Sequence, residues 1–200
     1  MTPEIEYEVP TWNHVYNMLL NLTTNIRKSS FKPDVIVGIC RGGWPPARVL
    51  SDLLDNPNLA NVRVEFYLGV AEARREPLLS EPLSFPVEGK KVLVVDEVAD
   101  TGRSLKVVKD HILQKGAAEV RTATVYCKPW SIAKPDYFVK EASHWVVFPW
   151  EIKETTRNIA TKCGEKGASV EEEKAKLVSA GVPEGLVKRF LREIAEETHC

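Results

Sequence analysis

The run Val92-Leu93-Val94-Val95-Asp96-Glu97-Val98-Ala99-Asp100-Thr101-Gly102-Arg103-Ser104-Leu105 decides how this chain is read. Its first four residues are apolar without interruption, the pattern of a strand buried on both faces. Two adjacent carboxylates end that strand. A turn of small residues with two hydroxyls, Thr101 and Ser104, follows, and helical spacing resumes over 103–115 until Gly116 stops it. A strand that turns into a helix start presents backbone N–H groups and the positive end of the helix dipole, which together cradle phosphate. Gly102 allows close backbone approach to the anion. Asp96 and Glu97 repel phosphate themselves. They suit sugar hydroxyls, directly or through a divalent cation, at the strand end where ligands of α/β sheets gather.

The rest of the chain alternates strands and helices around this run. Residues 11–29 carry Trp12, Val15, Met18, Leu19, Leu22 and Ile26 at helical spacing. Asp34-Val35-Ile36-Val37-Gly38-Ile39 reads as a second buried strand, and Arg41-Gly42-Gly43 as the turn that ends it. A helix over 46–54 follows Pro45-Pro46, since proline suits a first helical turn. Residues 62–68 alternate as a strand, with Val62, Val64 and Phe66 on one side. Residues 69–89, punctuated by Pro77, Pro82 and Pro86, read as a long loop of the kind that forms a lid. Further strands are expected at 120–126, 137–139 and 145–148. After Trp150 the composition turns charged, and 161–200 reads as a helical extension with helices at 169–180 and 184–197. The expected division is 1–160 and 161–200. The alternation argues for an α/β fold with a mainly parallel sheet flanked by helices.

Composition narrows the function classes. The 200 residues, 44% hydrophobic, suffice for one full core. A net charge of -1 gives no basic field to attract nucleic acid. No apolar run is long enough to span a bilayer, and the acidic N-terminus lacks a signal-peptide core. Cys40, Cys127, Cys163 and Cys200 are widely spaced with no CxxC pair, as expected of free thiols in a reducing cytoplasm.

The run 92–105 resembles the phosphoribosyl-diphosphate (PRPP) signature of the type I phosphoribosyltransferases. The departures are Arg103 where the family often has glycine and Ser104 where it often has threonine. The resemblance covers roughly residues 8–158. It implies the type I phosphoribosyltransferase fold with a small hood, to which 161–200 adds a short C-terminal helical appendage. Asp96 and Glu97 would hold ribose and Mg²⁺. Ala99, Asp100, Thr101, Gly102, Arg103 and Ser104 would hold the 5′-phosphate. Arg41 and Gly42 would grip pyrophosphate, assisted by Arg74 or Arg75 from the lid. A homo-oligomer, most simply a dimer, is also implied.

The same resemblance extends to the base. Lys128-Pro129 and His144-Trp145-Val146 are similar to the base-binding region of the xanthine–guanine and hypoxanthine enzymes. Lys128 would donate to a 6-oxo group, which a donor-only ammonium fits and a 6-amino group does not. Trp145 would stack on the base and Val146 would read its edge. Asp100 would be the general acid/base at N7, with a turn-capping role as the alternative. With Asp96 and Glu97 it completes the expected catalytic set.

The expected activity is therefore transfer of a 5-phosphoribosyl group from PRPP to free guanine, hypoxanthine or xanthine in the cytoplasm. The alternatives are adenine as the base, or a PRPP-sensing regulator without transferase activity.

Overall fold

The computed structural model describes residues 6–68, 75–166 and 169–198. In chain order the elements are β1 (Tyr7–Glu8), α1 (Trp12–Lys28), β2 (Val35–Cys40), α2 (Trp44–Leu53), β3 (Leu59–Leu68), β4 (Arg75–Glu81), β5 (Lys91–Ala99), α3 (Arg103–Gln114), β6 (Glu119–Cys127), β7 (Tyr137–Glu141), β8 (Trp145–Val146), α4 (Ile152–Lys166), α5 (Val170–Ser179) and α6 (Glu184–Thr198). The chain forms two compact units, one of residues 15–143 and one of residues 1–14 with 144–200.

The larger unit holds a six-stranded sheet in the order β4-β3-β2-β5-β6-β7. Every neighbouring pair is parallel except β3 and β4. The central strands are the apolar runs: Val35, Ile36 and Val37 of β2 and residues 92–95 of β5 are fully buried. Such strands are covered on both faces, which is why they read as continuous rather than alternating. Helix α3 turns Leu105, Val108 and Ile112 into the core at helical spacing. Helix α2 packs close on β2 because Gly38 has no side chain; a β-carbon there would lie 2.9 Å from that of Ala47.

Several elements differ from the sequence expectation. Trp12 of α1 is 60% exposed rather than on the buried face, and its ring lies 5.5 Å from that of Trp150. Phe66 of β3 is also exposed. Of the long loop expected at 69–89, residues 69–74 lie outside the described residues and 75–89 are edge strand and core. Arg75–Glu81 pairs antiparallel with β3, and Leu83 and Val87 are buried. Pro77 obscured that strand in the sequence, yet β4 lies at the sheet edge, where proline removes no needed ladder bond. The β5 strand runs on to Ala99, four residues past the apolar stretch, because its end continues to pair with β6 after its pairing with β2 stops at Val95.

The smaller unit has its own core of Val147, Leu177, Val182 and Val187, with Tyr7, Val9 and Ile152 against it. Its strands β1 and β8 pair in parallel, so the segment expected at 145–148 is a two-residue strand in a separate sheet. Helices α5 and α6 lie close to the expected ranges. Ser169 caps α5 by accepting the Glu172 N–H at 3.4 Å. Helix α4, whose polar pattern gives little periodic signal, is tied to α6 by Lys153–Glu193 at 2.7 Å and Arg157–Glu197 at 2.6 Å. The expected boundary at 160/161 falls inside α4.

Candidate active site

The sheet order creates a crevice. From β2 the chain passes through α2 to β3 on one side, and from β5 through α3 to β6 on the other. Strands β2 and β5 are direct neighbours, in register from Val35 with Val92 to Gly38 with Val95. The loops that leave their carboxyl ends therefore diverge, and ligands of open α/β sheets bind at such a switch point. The two loops are 41–43 and 100–102, the same segments that stand out in the sequence.

Glycine brings the two walls together. Gly43 sits where a β-carbon would lie 2.7 Å from the Ile39 carbonyl oxygen and 2.8 Å from Asp96 Cα. At Gly42 the missing side chain's place is taken by the Glu97 carboxylate. The turn closes with the Gly43 N–H donating to the Ile39 carbonyl at 2.8 Å, and the peptide bond from Cys40 to Arg41 is cis. Arg41 is exposed at the loop surface.

Asp96 lies beside this turn, and its Oδ1 accepts the Glu97 N–H at 3.1 Å. Burial pushes its carboxyl up to about 6; hydrogen bonds with Glu97 oppose the rise, and the nearby Cys40 adds to it. Among the described residues no group of three or more His, Cys, Asp or Glu side chains gathers for a metal ion. The donor set of Asp96 and Glu97 nevertheless fits Mg²⁺, which commonly takes one or two carboxylates and completes its shell with substrate phosphates and water.

The turn after β5 is shaped for an anion. Gly102 adopts φ +76°, a left-handed conformation that disfavours a side chain. A β-carbon there would also meet Ala133 N and Ser131 Oγ at 2.6 Å. Thr101 Oγ1 accepts the Arg103 N–H at 3.4 Å. The first helical bond of α3 runs from the Lys106 N–H to the Gly102 carbonyl at 3.0 Å, so the preceding amides lead the helix at its positive end. Ser104 stands half-buried in that first turn. The Arg103 guanidinium donates to Glu76 Oε1 at 3.0 Å, which ties this turn to β4.

On the far side of the turn, β6 delivers Lys128. Its N–H donates to the Ala99 carbonyl at 2.9 Å, and the residue is only 6% exposed. Asp100 is thus brought next to Lys128, and Trp130 joins them. The Trp130 Nε1–H donates to Asp100 Oδ1 at 3.2 Å, and Lys128 Nζ lies 5.5 Å from the indole centroid. Sequence reasoning passes over Trp130; its only local signal is an exposed aromatic two residues after Lys128.

Trp145 is half-exposed and Val146 buried, both on β8 of the smaller unit. Arg75 opens β4, but its side chain and the whole of Arg74 lie outside the described residues. A wide groove lined by Arg27, Lys32, Asp34, Asn56, Asn58 and Lys90 opens at the amino-terminal end of the strands, opposite the 41–43 and 100–102 loops.

A switch-point crevice with two carboxylates at a strand end, a glycine turn packed against them and a glycine-led helix start is an arrangement suited to a phosphorylated sugar. Residues 12–155 match the sequence model of the phosphoribosyl transferase domain, and the chain belongs to that family. It is accordingly a glycosyltransferase-type enzyme. It is 30% identical over 155 residues to the xanthine-guanine phosphoribosyltransferase of Gluconobacter oxydans, spanning 75% of this chain and 88% of that one. The crystal structure of a purine phosphoribosyltransferase from Pyrococcus horikoshii matches with a TM-score of 0.65 at 37% identity, over 73% of this chain and 94% of that one. The Helicobacter pylori xanthine-guanine-hypoxanthine phosphoribosyltransferase shares the fold, with a TM-score of 0.65 at 22% identity over 75% of this chain and 97% of that one.

Proposed function

We propose that this enzyme transfers the 5-phosphoribosyl group of PRPP to a free 6-oxopurine, giving a nucleoside 5′-monophosphate and pyrophosphate. The observation that carries this reading is the meeting of Asp100, Lys128 and the phosphate turn on one side of the crevice. A proton acceptor and a buried ammonium stand next to a sugar-phosphate cradle there. Lys128 matches the O6 acceptor of guanine, hypoxanthine or xanthine and not the 6-amino donor of adenine. The purine phosphoribosyltransferases named above support the same substrate class.

The amides of the α3 first turn, with Ala99, Asp100, Thr101, Gly102, Arg103 and Ser104, hold the 5′-phosphate. Arg41 and the Gly42 amide hold pyrophosphate, and Arg74 or Arg75 closes over it. Asp96 and Glu97 hold the ribose hydroxyls and Mg²⁺; when bound, the ion neutralises charge on the departing pyrophosphate. In the transfer, the bond from C1′ to the pyrophosphate oxygen breaks and the bond from C1′ to N9 forms. Asp100 takes the proton from N7. Lys128 fixes O6. Rate enhancement comes from alignment and from donors placed before charge develops. The enzyme works in the cytoplasm, where free thiols such as Cys40 and Cys127 stay reduced. It works as a homodimer, in keeping with the exposed Tyr16 and Leu20 one turn apart on α1.

The test is pyrophosphate release from PRPP and Mg²⁺ with each of guanine, hypoxanthine, xanthine and adenine. Turnover of the 6-oxopurines is expected. Turnover of adenine alone sinks the assignment, and PRPP binding without turnover of any base turns the protein into a sensor.

A further inference from the structure

Trp130 has no place in the reading above, yet it is held against two of the groups that reading uses. It is large and apolar but 54% exposed, so core packing does not account for its position. The turn that carries it is pinned to the phosphate loop. The Ser131 N–H donates to the Lys128 carbonyl and the Ile132 N–H to the Thr101 carbonyl, each at 3.0 Å. Gly102 leaves room for Ser131 and Ala133 against its own backbone. From this anchored turn the indole reaches Asp100 Oδ1 with its N–H at 3.2 Å and lays its ring 5.5 Å from Lys128 Nζ.

We propose that Trp130 is a positioning residue for base recognition, holding the Asp100 carboxylate through Oδ1 so that its other oxygen faces N7 of the base. The inference rests on the purine reading. Asp100 is an exposed side chain in a turn, and a carboxylate there rotates freely about χ2 unless one oxygen is engaged. An indole N–H is a donor only, so it binds the ionised carboxylate and cannot compete for the proton that Asp100 accepts. Alignment of this kind affects the interaction with N7 and leaves the phosphate and pyrophosphate contacts alone. The ring's contact with Lys128 gives the ammonium a second constraint, and phenylalanine at position 130 would retain it.

Trp130→Phe therefore removes the N–H and keeps the ring. The probes are guanine and its 7-deaza analogue, in which a C–H replaces N7 and cannot bond Asp100. Both are titrated calorimetrically onto the full chain with pyrophosphate and Mg²⁺. The wild type is expected to prefer guanine by about 10- to 100-fold, the worth of a hydrogen bond to a charged group. In Trp130→Phe that preference falls about three- to tenfold, with the affinity for the analogue unchanged. In Asp100→Ala the preference is already lost, and adding Trp130→Phe lowers it no further. Equal weakening of both ligands, with the preference intact, shows Trp130 to be a structural support of its turn and overturns the inference while the purine reading stands. A wild type that binds neither ligand overturns both. Should Trp130→Phe fail to fold, Trp130→Leu, which also lacks the N–H, decides by the same reading: a selective fall in the preference supports the inference, and equal weakening of both ligands overturns it.

Discussion

The Glu97 carboxylate fills the space that a β-carbon on Gly42 would take. A turn and a strand end separated by some fifty residues of chain thus meet through one absent side chain. The turn expected to grip pyrophosphate and the strand end expected to hold ribose are mechanically one structure. Gly42→Ala must displace Glu97, and the end of a flexible side chain can move without unfolding the sheet. The expected outcome is a rise of about tenfold or more in KM for PRPP, equivalent to about 1.4 kcal/mol. The melting temperature changes little. Steady-state kinetics beside thermal melts check this, and a collapse in stability with unchanged KM would refute it.

Gly102 is a different case. Its φ of +76° is unfavourable for any side chain, and the neighbours at 2.6 Å include the Ala133 backbone, which cannot step aside. Gly102→Ala should cost about 1–3 kcal/mol from the conformation alone. Urea unfolding should show a lower midpoint with an unchanged slope, and PRPP binding should weaken in parallel. Alanine at this position without loss of stability would mean that the turn has another accessible shape.

Asp96 makes stability depend on pH in the direction opposite to a salt-bridged carboxylate. Burial raises its folded value to about 6 from the ordinary 3.8. Between those two values the folded chain keeps a proton that the unfolded chain has released, so stability falls as pH rises through this window and levels off above it. Asp96→Asn removes the buried charge. Its melting temperature should equal that of the wild type near pH 4, exceed it increasingly up to pH 6, and stay above it at pH 8. The same variant should be severely impaired with PRPP. Equal melting temperatures at pH 4 and pH 8 would contradict the burial argument.

Leu177 tests the smaller unit. It is 1% exposed and packs with Val147, Val182 and Val187. Leu177→Ala should cost about 2–5 kcal/mol through lost transfer energy and the cavity left behind. Denaturant unfolding measures this. A cost below about 1 kcal/mol would mean that α5 is not held by that core.

The local part of this protein is readable along the chain. Residues 92–105 announce a buried strand, an acidic end, a glycine turn and a helix start, because each depends on the chemistry of consecutive residues. The apolar run of β2 and the helices α5 and α6 are legible for the same reason. Other features depend on partners far away. Pro77 reads as a loop residue until the sheet order shows that β4 is an edge. Trp145 and Val146 read as part of a longer strand until pairing with Tyr7 and Glu8 limits them to two residues. Glu97 against Gly42 and Trp130 against Asp100 join residues that no sequence period connects. By itself the sequence determined the glycine turn and the acidic strand end, through short-range sterics and hydrogen-bonding capacity. Only the tertiary structure decided where these meet the 41–43 turn and which aromatic holds Asp100. Strand order, rather than any local preference, puts the carboxyl ends of β2 and β5 side by side.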